Sequence, residues 1–431
     1  MAAAVGWPGA GRHAEAPMSD ELPHVVIVVV DCFRPDACPL SGGQELTGWP
    51  KLRARSTVFT QAISSASNTP VCFASLLSGQ YSFRHGVRTI AGPRIAPGTA
   101  TLATVLRAAG YRTCAYLTGP MLSAFGLDEG FEVYEHRPQE TNIYGQWGRR
   151  FTADFGRHFT HPRPAFVLLH LFELHAKRAT NGVAVKPGTA EEYRVAWRQL
   201  DAKLDALLAQ VPPGALVVLT GDHGEQIGRL SDRTPWGHVI RKIRENLRLR
   251  RRPVDWKGHG FHVFEDLVRM PLVLCGPGVP QGRLVGDQVR QIDIMPTVLE
   301  LAGLRPPQPT HGRSLAPLLR GEELPHEAAY VESGRDDPPQ HWHGLRKDGW
   351  KYVEHPRWGM NVEAAPQLYN LADDPRERRN VIGANVQRAV AMRRELDALV
   401  HGGGQAPSEG APMAADDQAK LAEQLKALGY I

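Results

Sequence analysis

Cysteine is scarce in this sequence, and its few positions show no pairing pattern. The 431 residues include five cysteines, an odd number, with no CxxC motif and no Cys/His spacing typical of structural zinc. The sequence therefore predicts neither a disulfide framework nor a structural zinc site.

Long apolar runs and a strong charge of one sign are also missing. Residues 1–23 contain no basic segment followed by a long apolar core, and the apolar run at 24–30 is too short to span a bilayer. We therefore expect a flexible N-terminus over 1–23, no signal peptide and a cytoplasmic location. A net charge of +5 over 431 residues is too small to predict nucleic-acid binding.

What the sequence does contain is an alternation of short apolar runs and helix-like stretches. This alternation predicts an α/β fold with a large, mostly parallel sheet flanked by helices. The predicted parallel strands are at 25–30, 112–116, 165–170, 216–220 and 272–275. The predicted helices are at 100–109, 190–208 and 294–302.

The pattern changes near residue 320. Short antiparallel strands are predicted at 328–332, 342–346 and 351–354, followed by a helix at 386–400. Residues 402–415 are rich in Gly, Pro and Ala, which favours a flexible linker before a short terminal helix. We therefore expect a main α/β domain over 24–320, a small C-terminal α+β subdomain over 321–400, and a linker with a terminal helix over 401–431.

Acidic and imidazole side chains follow two of the predicted strands. Asp31 ends the first apolar run, and Asp222 and His223 follow the run at 215–220. The carboxyl ends of parallel strands lie along one edge of a sheet, so these side chains are expected to meet there. Carboxylates with an imidazole are ligands for a divalent metal ion.

Several motifs accompany these residues in a fixed order. They are Asp31 to Asp36 (DCFRPD), Ser67 to Gly79 (SNTPVCFASLLSG), Arg84 to Val87 (RHGV), Gly221 to Glu225 (GDHGE), His259 and Gly260 before Phe264 to Leu272 (FEDLVRMPL), Gln291 to Thr297 (QIDIMPT), Gly312 to Leu315 (GRSL) and Leu368 to Pro375 (LYNLADDP). The ordered set, which spans about residues 24–430, resembles the sulfatase family of the alkaline phosphatase superfamily. The resemblance implies an alkaline phosphatase-like fold and a metal-dependent hydrolase acting on a small anionic ester.

The position of the family nucleophile departs from the usual sulfatase pattern. Standard sulfatases carry Cys-x-Pro-x-Arg, and the cysteine position falls here on Thr69, while Phe73 replaces the arginine. We interpret Cys72 as a buried core cysteine and expect no formylglycine. Thr69 instead resembles the threonine nucleophile of phosphodiesterases and phosphoryl transferases in the superfamily, so a phosphate or phosphonate ester is favoured over a sulfate ester.

The resemblance also predicts a metal centre. One divalent ion is expected on Asp31, Thr69, Asp222 and His223. The imidazole favours Mn²⁺, with Zn²⁺, Mg²⁺ or Ca²⁺ as alternatives. Cys32 stands where many sulfatases have a second aspartate, and it is interpreted as a packing residue or as a fifth ligand.

Two histidines are expected to touch the substrate. His175 resembles the family's histidine after a strand, and a leaving-group acid is the role considered for it. His259 lies next to the position of the family's anion-contacting lysine or histidine. Arg88, Lys177 and Lys257 are weaker candidates for contacts with the anion.

The segment 236–256 does not resemble the family core. It carries seven Arg or Lys residues interleaved with apolar ones, which is compatible with a solvated amphipathic helix, an anionic substrate or a membrane surface. Two other functions stay open at this point, a phosphoryl transferase and a catalytically silent sulfatase-like binding protein. The oligomeric state is not predicted.

Overall fold

The computed structural model describes residues 22–39, 46–121, 123–138, 141–175, 183–227, 258–336, 339–355, 366–402 and 408–428. The predicted basic segment 236–256, together with Lys177 and Lys257, lies outside these residues. No helix within the described ranges is long and apolar enough to cross a membrane. All five cysteines are described, and each is buried and free.

A large sheet forms the centre of the molecule. Its eight strands, labelled in chain order, are β1 (Val25–Val30), β2 (Thr57–Ile63), β3 (Arg112–Thr118), β4 (Val133–Arg137), β5 (Ala165–Leu171), β6 (Leu216–Gly221), β7 (Arg269–Cys275) and β8 (Arg283–Arg290), in the spatial order β4-β3-β5-β1-β6-β7-β2-β8. The predicted fold class is confirmed, because most neighbours in this sheet are parallel and helices cover both of its faces.

One predicted strand runs in the other direction. The strand predicted as parallel at 272–275 is part of β7, which pairs antiparallel with both β6 and β2. The parallel assignment was therefore wrong for this strand. An apolar run shows that a strand is buried, but it carries no information on the strand's direction.

Helices and a second sheet complete the fold. Within the described residues the α-helices are α1 (Trp49–Ala54), α2 (Thr69–Ser78), α3 (Ser82–His85), α4 (Leu102–Ala108), α5 (Gln146–Asp154), α6 (Ala190–Leu208), α7 (Glu265–Val268), α8 (Ile294–Leu301), α9 (Ala316–Arg320), α10 (Val386–His401) and α11 (Ala415–Leu428). The second sheet is antiparallel and contains β9 (Ala329–Asp336), β10 (Pro339–Lys347), β11 (Trp350–Glu354) and β12 (Gln367–Asn370).

The central strand β1 explains how the core is built. Its six residues are all apolar and fully buried. Side chains alternate between the faces of a strand, so Val25, Ile27 and Val29 join the core that contains α2, while Val26, Val28 and Val30 join the core that contains α6. A strand buried on both faces is rigid, and it positions the residue that follows it.

The chain returns to the large domain at its C-terminal end. Ala411 forms a bridge with Arg94, and Leu421 and Leu425 of α11 are buried in the core that contains α2. The chain near Ala411, within the predicted linker, thus lies against the main domain. The domain boundaries stay a prediction.

Candidate active site

Two carboxylates meet at the carboxyl ends of neighbouring strands. Parallel pairing of β1 and β6 places Val30 beside Gly221, so Asp31 and Asp222 follow adjacent strands at one edge of the sheet. Both side chains are buried. Asp222 is fixed because its Oδ1 accepts hydrogen bonds from the backbone N–H groups of Cys32 (3.2 Å) and His223 (2.7 Å).

Thr69 reaches this edge from the first turn of α2. The preceding residue, Asn68, caps the helix by accepting a hydrogen bond from the Val71 N–H at 3.3 Å. The Thr69 hydroxyl donates to Asp31 Oδ2 at 3.1 Å and lies 3.4 Å from His223 Nε2. The structure therefore brings together the four residues predicted as metal ligands. It also places the hydroxyl at a helix N-terminus, where an anion is stabilised.

The two carboxylates have opposite pKa shifts. Burial tends to raise the pKa of Asp31, but the neighbouring imidazoles of His170, His175 and His223 outweigh it and hold this pKa well below its usual range. Burial, followed by the negative charge of Asp31, raises the pKa of Asp222. Burying two neighbouring carboxylates costs free energy unless a positive charge lies close to them.

The donor atoms at this edge fit a divalent cation. Among the described residues, Asp31 Oδ1, Asp222 Oδ2 and His170 Nε2 are buried and have no hydrogen-bond partner. Asp31, His170 and Asp222 can each offer a ligand atom within 4.8 Å of the others. Two carboxylate oxygens with an imidazole nitrogen match the preferences of Mn²⁺ and Zn²⁺.

No role in the site was predicted for His170 from the sequence. Parallel pairing of β5 with β1 places it beside Val29. Its Nδ1 donates to the Thr118 carbonyl at 2.8 Å, and its Nε2 lies 3.6 Å from Asp31 Oδ2. The one available signal was a histidine within the otherwise apolar strand AFVLLHL.

A second group of polar side chains lies beside the first. Cys32 Sγ donates to Glu225 Oε2 at 3.1 Å and lies 3.5 Å from His259 Nδ1. His259 Nδ1 is 2.8 Å from the same Glu225 oxygen. Burial lowers the pKa of His259, but Glu225 more than offsets this and the pKa is raised. Glu225 belongs to the GDHGE motif, but no role was predicted for it.

His175 lies within reach of the same group. Its ring stacks on Phe172 with a centroid distance of 4.1 Å, and its centroid is 5.0 Å from that of His259. Burial lowers the pKa of His175 to about 4, so this imidazole is neutral at neutral pH. Both histidines that were predicted to touch the substrate therefore lie next to the candidate metal ligands.

The residues that replace the usual sulfatase motif are packed in the core. Cys72 is buried, with its Sγ 3.2 Å from Ser64 Oγ and 3.3 Å from the Ala66 carbonyl oxygen. The Phe73 ring packs edge-on against His170 with a centroid distance of 4.8 Å. Arg88, a weaker candidate for anion binding, pairs with Glu332 at 3.4 Å.

Comparison with known proteins relates the chain to one protein family. A model of the sulfatase family matches residues 23–304, and a model of the C-terminal part of N-sulphoglucosamine sulphohydrolase matches residues 258–401. Arylsulfatase K of Xenopus laevis is 31% identical over 147 residues, which are 32% of this chain and 27% of that relative. The match to this relative thus covers about a quarter of its length.

Two solved structures show the same fold. A 2-O GAG sulfatase superposes with a TM-score of 0.66 at 16% identity, over 88% of this chain and 93% of that one. The phosphonate monoester hydrolase of Agrobacterium radiobacter superposes with a TM-score of 0.66 at 17% identity, over 88% of this chain and 95% of that one. Since the sulfatase family model matches more than half of the residues of this chain, the chain belongs to the sulfatase family.

Proposed function

We propose that this chain is a divalent-metal-dependent hydrolase of small anionic esters, with Thr69 as its nucleophile. The observation that carries the proposal is the position of the Thr69 hydroxyl, 3.1 Å from Asp31 and 3.4 Å from His223 at the start of α2. A hydroxyl nucleophile next to groups that can accept its proton is the arrangement that covalent catalysis requires.

In this proposal, Asp31, Thr69, Asp222 and His223 hold the cation, and His170 completes the set. A bound divalent ion would supply a Lewis acid that neutralises the ester oxygens and lowers the pKa of the Thr69 hydroxyl. Mn²⁺ is favoured because the ligands combine carboxylates with imidazoles. Asp31 accepts the hydrogen bond from Thr69 and so orients the attacking oxygen.

The two further histidines take different roles. Glu225 favours the charged form of His259, so His259 supplies positive charge for the anionic oxygens of the ester. His175 is neutral at neutral pH because of its burial, and it therefore binds as a hydrogen-bonding imidazole rather than acting as the resting proton donor. This role differs from the one considered from the sequence, in which His175 is the acid that protonates the leaving group.

The nucleophile supports phosphate or phosphonate esters over sulfate esters. A formylglycine hydrate can release sulfate by collapsing to the aldehyde, whereas a threonine ester must be cleaved at its phosphorus or sulfur atom. Enzymes do this readily for phosphoryl groups. The likeness of the fold to a phosphonate monoester hydrolase is compatible with this choice.

A substrate panel tests the proposal. Turnover of an aryl sulfate, a phosphate monoester, a phosphodiester and a phosphonate monoester is measured with the metal-free chain, before and after addition of Mn²⁺. We expect metal-dependent turnover, highest with a phosphorus ester. Turnover of the aryl sulfate alone would contradict the preferred substrate class, and metal-independent turnover would contradict the mechanism.

A further inference from the structure

Helix α6 covers the loop that follows β1. Tyr193 and Trp197 are four residues apart, so they lie on the same face of α6, and both side chains are buried. The Trp197 ring packs against the ring of Phe33 with a centroid distance of 4.5 Å. The loop that begins at Asp31 is therefore held against this face of α6.

The Tyr193 hydroxyl makes two hydrogen bonds to the backbone of this loop. It donates to the Cys32 carbonyl at 2.9 Å and accepts from the Arg34 N–H at 2.9 Å. Arg34 Nη1 in turn donates to the Glu225 carbonyl at 2.6 Å. Tyr193 thus stands at the junction of the two loops that follow β1 and β6, and both loops carry candidate metal ligands.

The backbone at Cys32 needs such support. Its φ is 59°, a left-handed conformation that is uncommon for residues other than glycine. The Cys32 N–H donates to Asp222 Oδ1 at 3.2 Å, and the Cys32 carbonyl accepts from Tyr193. A residue keeps a sparsely populated backbone conformation only where the surrounding structure maintains it. These two hydrogen bonds, one on each side of the Cys32 α-carbon, maintain the turn.

The turn at Cys32 also determines which oxygen Asp222 can offer to a cation. Asp222 Oδ1 accepts from the N–H groups of Cys32 and His223. Asp222 Oδ2 is buried and has no hydrogen-bond partner among the residues that the structure describes. Hydrogen bonds of this kind orient ligating carboxylates and tune the affinity of a site for its metal.

We propose that Tyr193 is a positioning residue for the cation held by Asp31 and Asp222. Its hydroxyl holds the left-handed turn at Cys32, and this turn directs the Cys32 N–H to Asp222 Oδ1. Asp222 Oδ2 is then left for the cation. The inference rests on the proposed function for the presence of the cation, whereas the hold on the loop exists in the metal-free chain.

Binding of Mn²⁺ to the full chain tests the inference. Calorimetric titration of the metal-free protein compares the unsubstituted chain with Tyr193→Phe, which removes only the hydroxyl. We expect the Kd for Mn²⁺ to rise by about 10-fold or more. The Mn²⁺ concentration that gives half-maximal turnover should rise with it, while kcat at saturating Mn²⁺ changes little. An unchanged Kd in folded Tyr193→Phe would overturn the inference.

Tyr111→Phe is the matched control. Tyr111 is buried, and its hydroxyl donates to the Pro23 carbonyl at 2.9 Å, just before β1. The substitution therefore removes a similar hydrogen bond at the other end of the same strand. It should lower the urea midpoint to a similar extent and leave the Kd for Mn²⁺ unchanged. An equal rise of the Kd in both variants would show a general loss of stability and would overturn the positioning role.

Amide hydrogen exchange separates a failure of this inference from a failure of the proposed function. In the metal-free chain, the peptide that contains residues 32–34 should exchange faster in Tyr193→Phe than in the unsubstituted chain, and Tyr111→Phe should leave its rate unchanged. Equal rates in Tyr193→Phe and the unsubstituted chain would overturn the inference. If the unsubstituted chain bound no Mn²⁺, the proposed function would fail, and the exchange rates would still decide whether Tyr193 holds the loop.

A second variant keeps the inference testable if Tyr193→Phe does not fold. Arg34→Met removes the hydrogen bond from the loop after β1 to the Glu225 carbonyl. It should also raise the Kd for Mn²⁺, because the two loops that carry the ligands then lose one of their direct links. An unchanged Kd in folded Arg34→Met would contradict the inference.

Discussion

The Thr69 hydroxyl lies 3.1 Å from Asp31 Oδ2, although the two residues are 38 positions apart in the chain. β1 is buried on both faces and fixes Asp31, and the capped start of α2 fixes Thr69. In the proposed mechanism, neither residue has to move before the hydroxyl attacks an ester.

Thr69→Ala should lower kcat for the best ester by at least about 10³-fold, because it removes the covalent nucleophile. Thr69→Ser keeps a hydroxyl and should retain much more of the activity. Steady-state kinetics with added Mn²⁺ measure both variants. Equal activity of Thr69→Ala and the unsubstituted chain would show that another group attacks the ester.

Asp222→Ala should remove the cation held between Asp31 and Asp222, since only one buried carboxylate then remains at that position. Elemental analysis after desalting measures the loss. The matched control is Asp287→Ala, which removes an exposed carboxylate on β8 and should leave the metal content unchanged. Full metal content in a folded Asp222→Ala protein would contradict the assignment.

Gly224 allows close packing directly after His223. A Cβ at this position would lie 2.2 Å from the Asp266 carbonyl oxygen, and the Gly224 carbonyl also holds His223 Nδ1. Gly224→Ala should therefore destabilise the fold by about 1–3 kcal/mol and weaken metal binding. Gly286→Ala is the control, because nothing lies within 4 Å of its added Cβ. Similar urea midpoints for the two variants would refute the prediction.

A buried ion cluster joins α7 to the small sheet. Glu265 Oε1 lies 3.0 Å from Arg346 Nε and 3.2 Å from Lys351 Nζ. Burial tends to raise the pKa of Glu265, but the charges of Lys351 and Arg346 outweigh it and lower the pKa to about 2. Because the folded-state pKa lies below the ordinary value near 4.5, this group stabilises the fold above about pH 4.5.

This contribution to stability should disappear as the pH falls from about 4.5 toward 2, when Glu265 takes up a proton in the folded state. Glu265→Gln should lower the free energy of unfolding by about 3 kcal/mol at pH 7, because two buried cations then have less negative charge beside them. The variant should also lose less stability than the unsubstituted chain between pH 4.5 and 3. Urea denaturation at both pH values measures the stability of the two proteins. Equal losses of stability in the variant and the unsubstituted chain would contradict the prediction.

Much of the site could be predicted because its residues follow strand ends. Asp31, Asp222 and His223 stand directly after apolar runs, and a parallel sheet brings such positions together. The α/β class followed from the same runs. The resemblance of the motifs to the sulfatase family then indicated Thr69 as the candidate nucleophile. The hydrophobic periodicity alone would have indicated only a threonine at the start of a helix.

Other features depend on neighbours that a sequence does not reveal. His170 belongs to the site because β5 pairs with β1 in one register, and a shift by one residue would turn it to the other face. Glu225 gains its role only once His259, 34 positions away, is packed against it. The edge strand β8 was missed because its sequence RLVGDQVR is largely polar and partly exposed.

The most direct test of the central claim is to trap the covalent intermediate. The Mn²⁺-loaded chain is mixed with its best ester, quenched in acid and analysed by mass spectrometry of its peptides. The account predicts one substrate-derived phosphoryl, phosphonyl or sulfuryl group on Thr69, absent from Thr69→Ala, and an unmodified Cys72. Formylglycine at Cys72, or the transferred group on a residue other than Thr69, would contradict it.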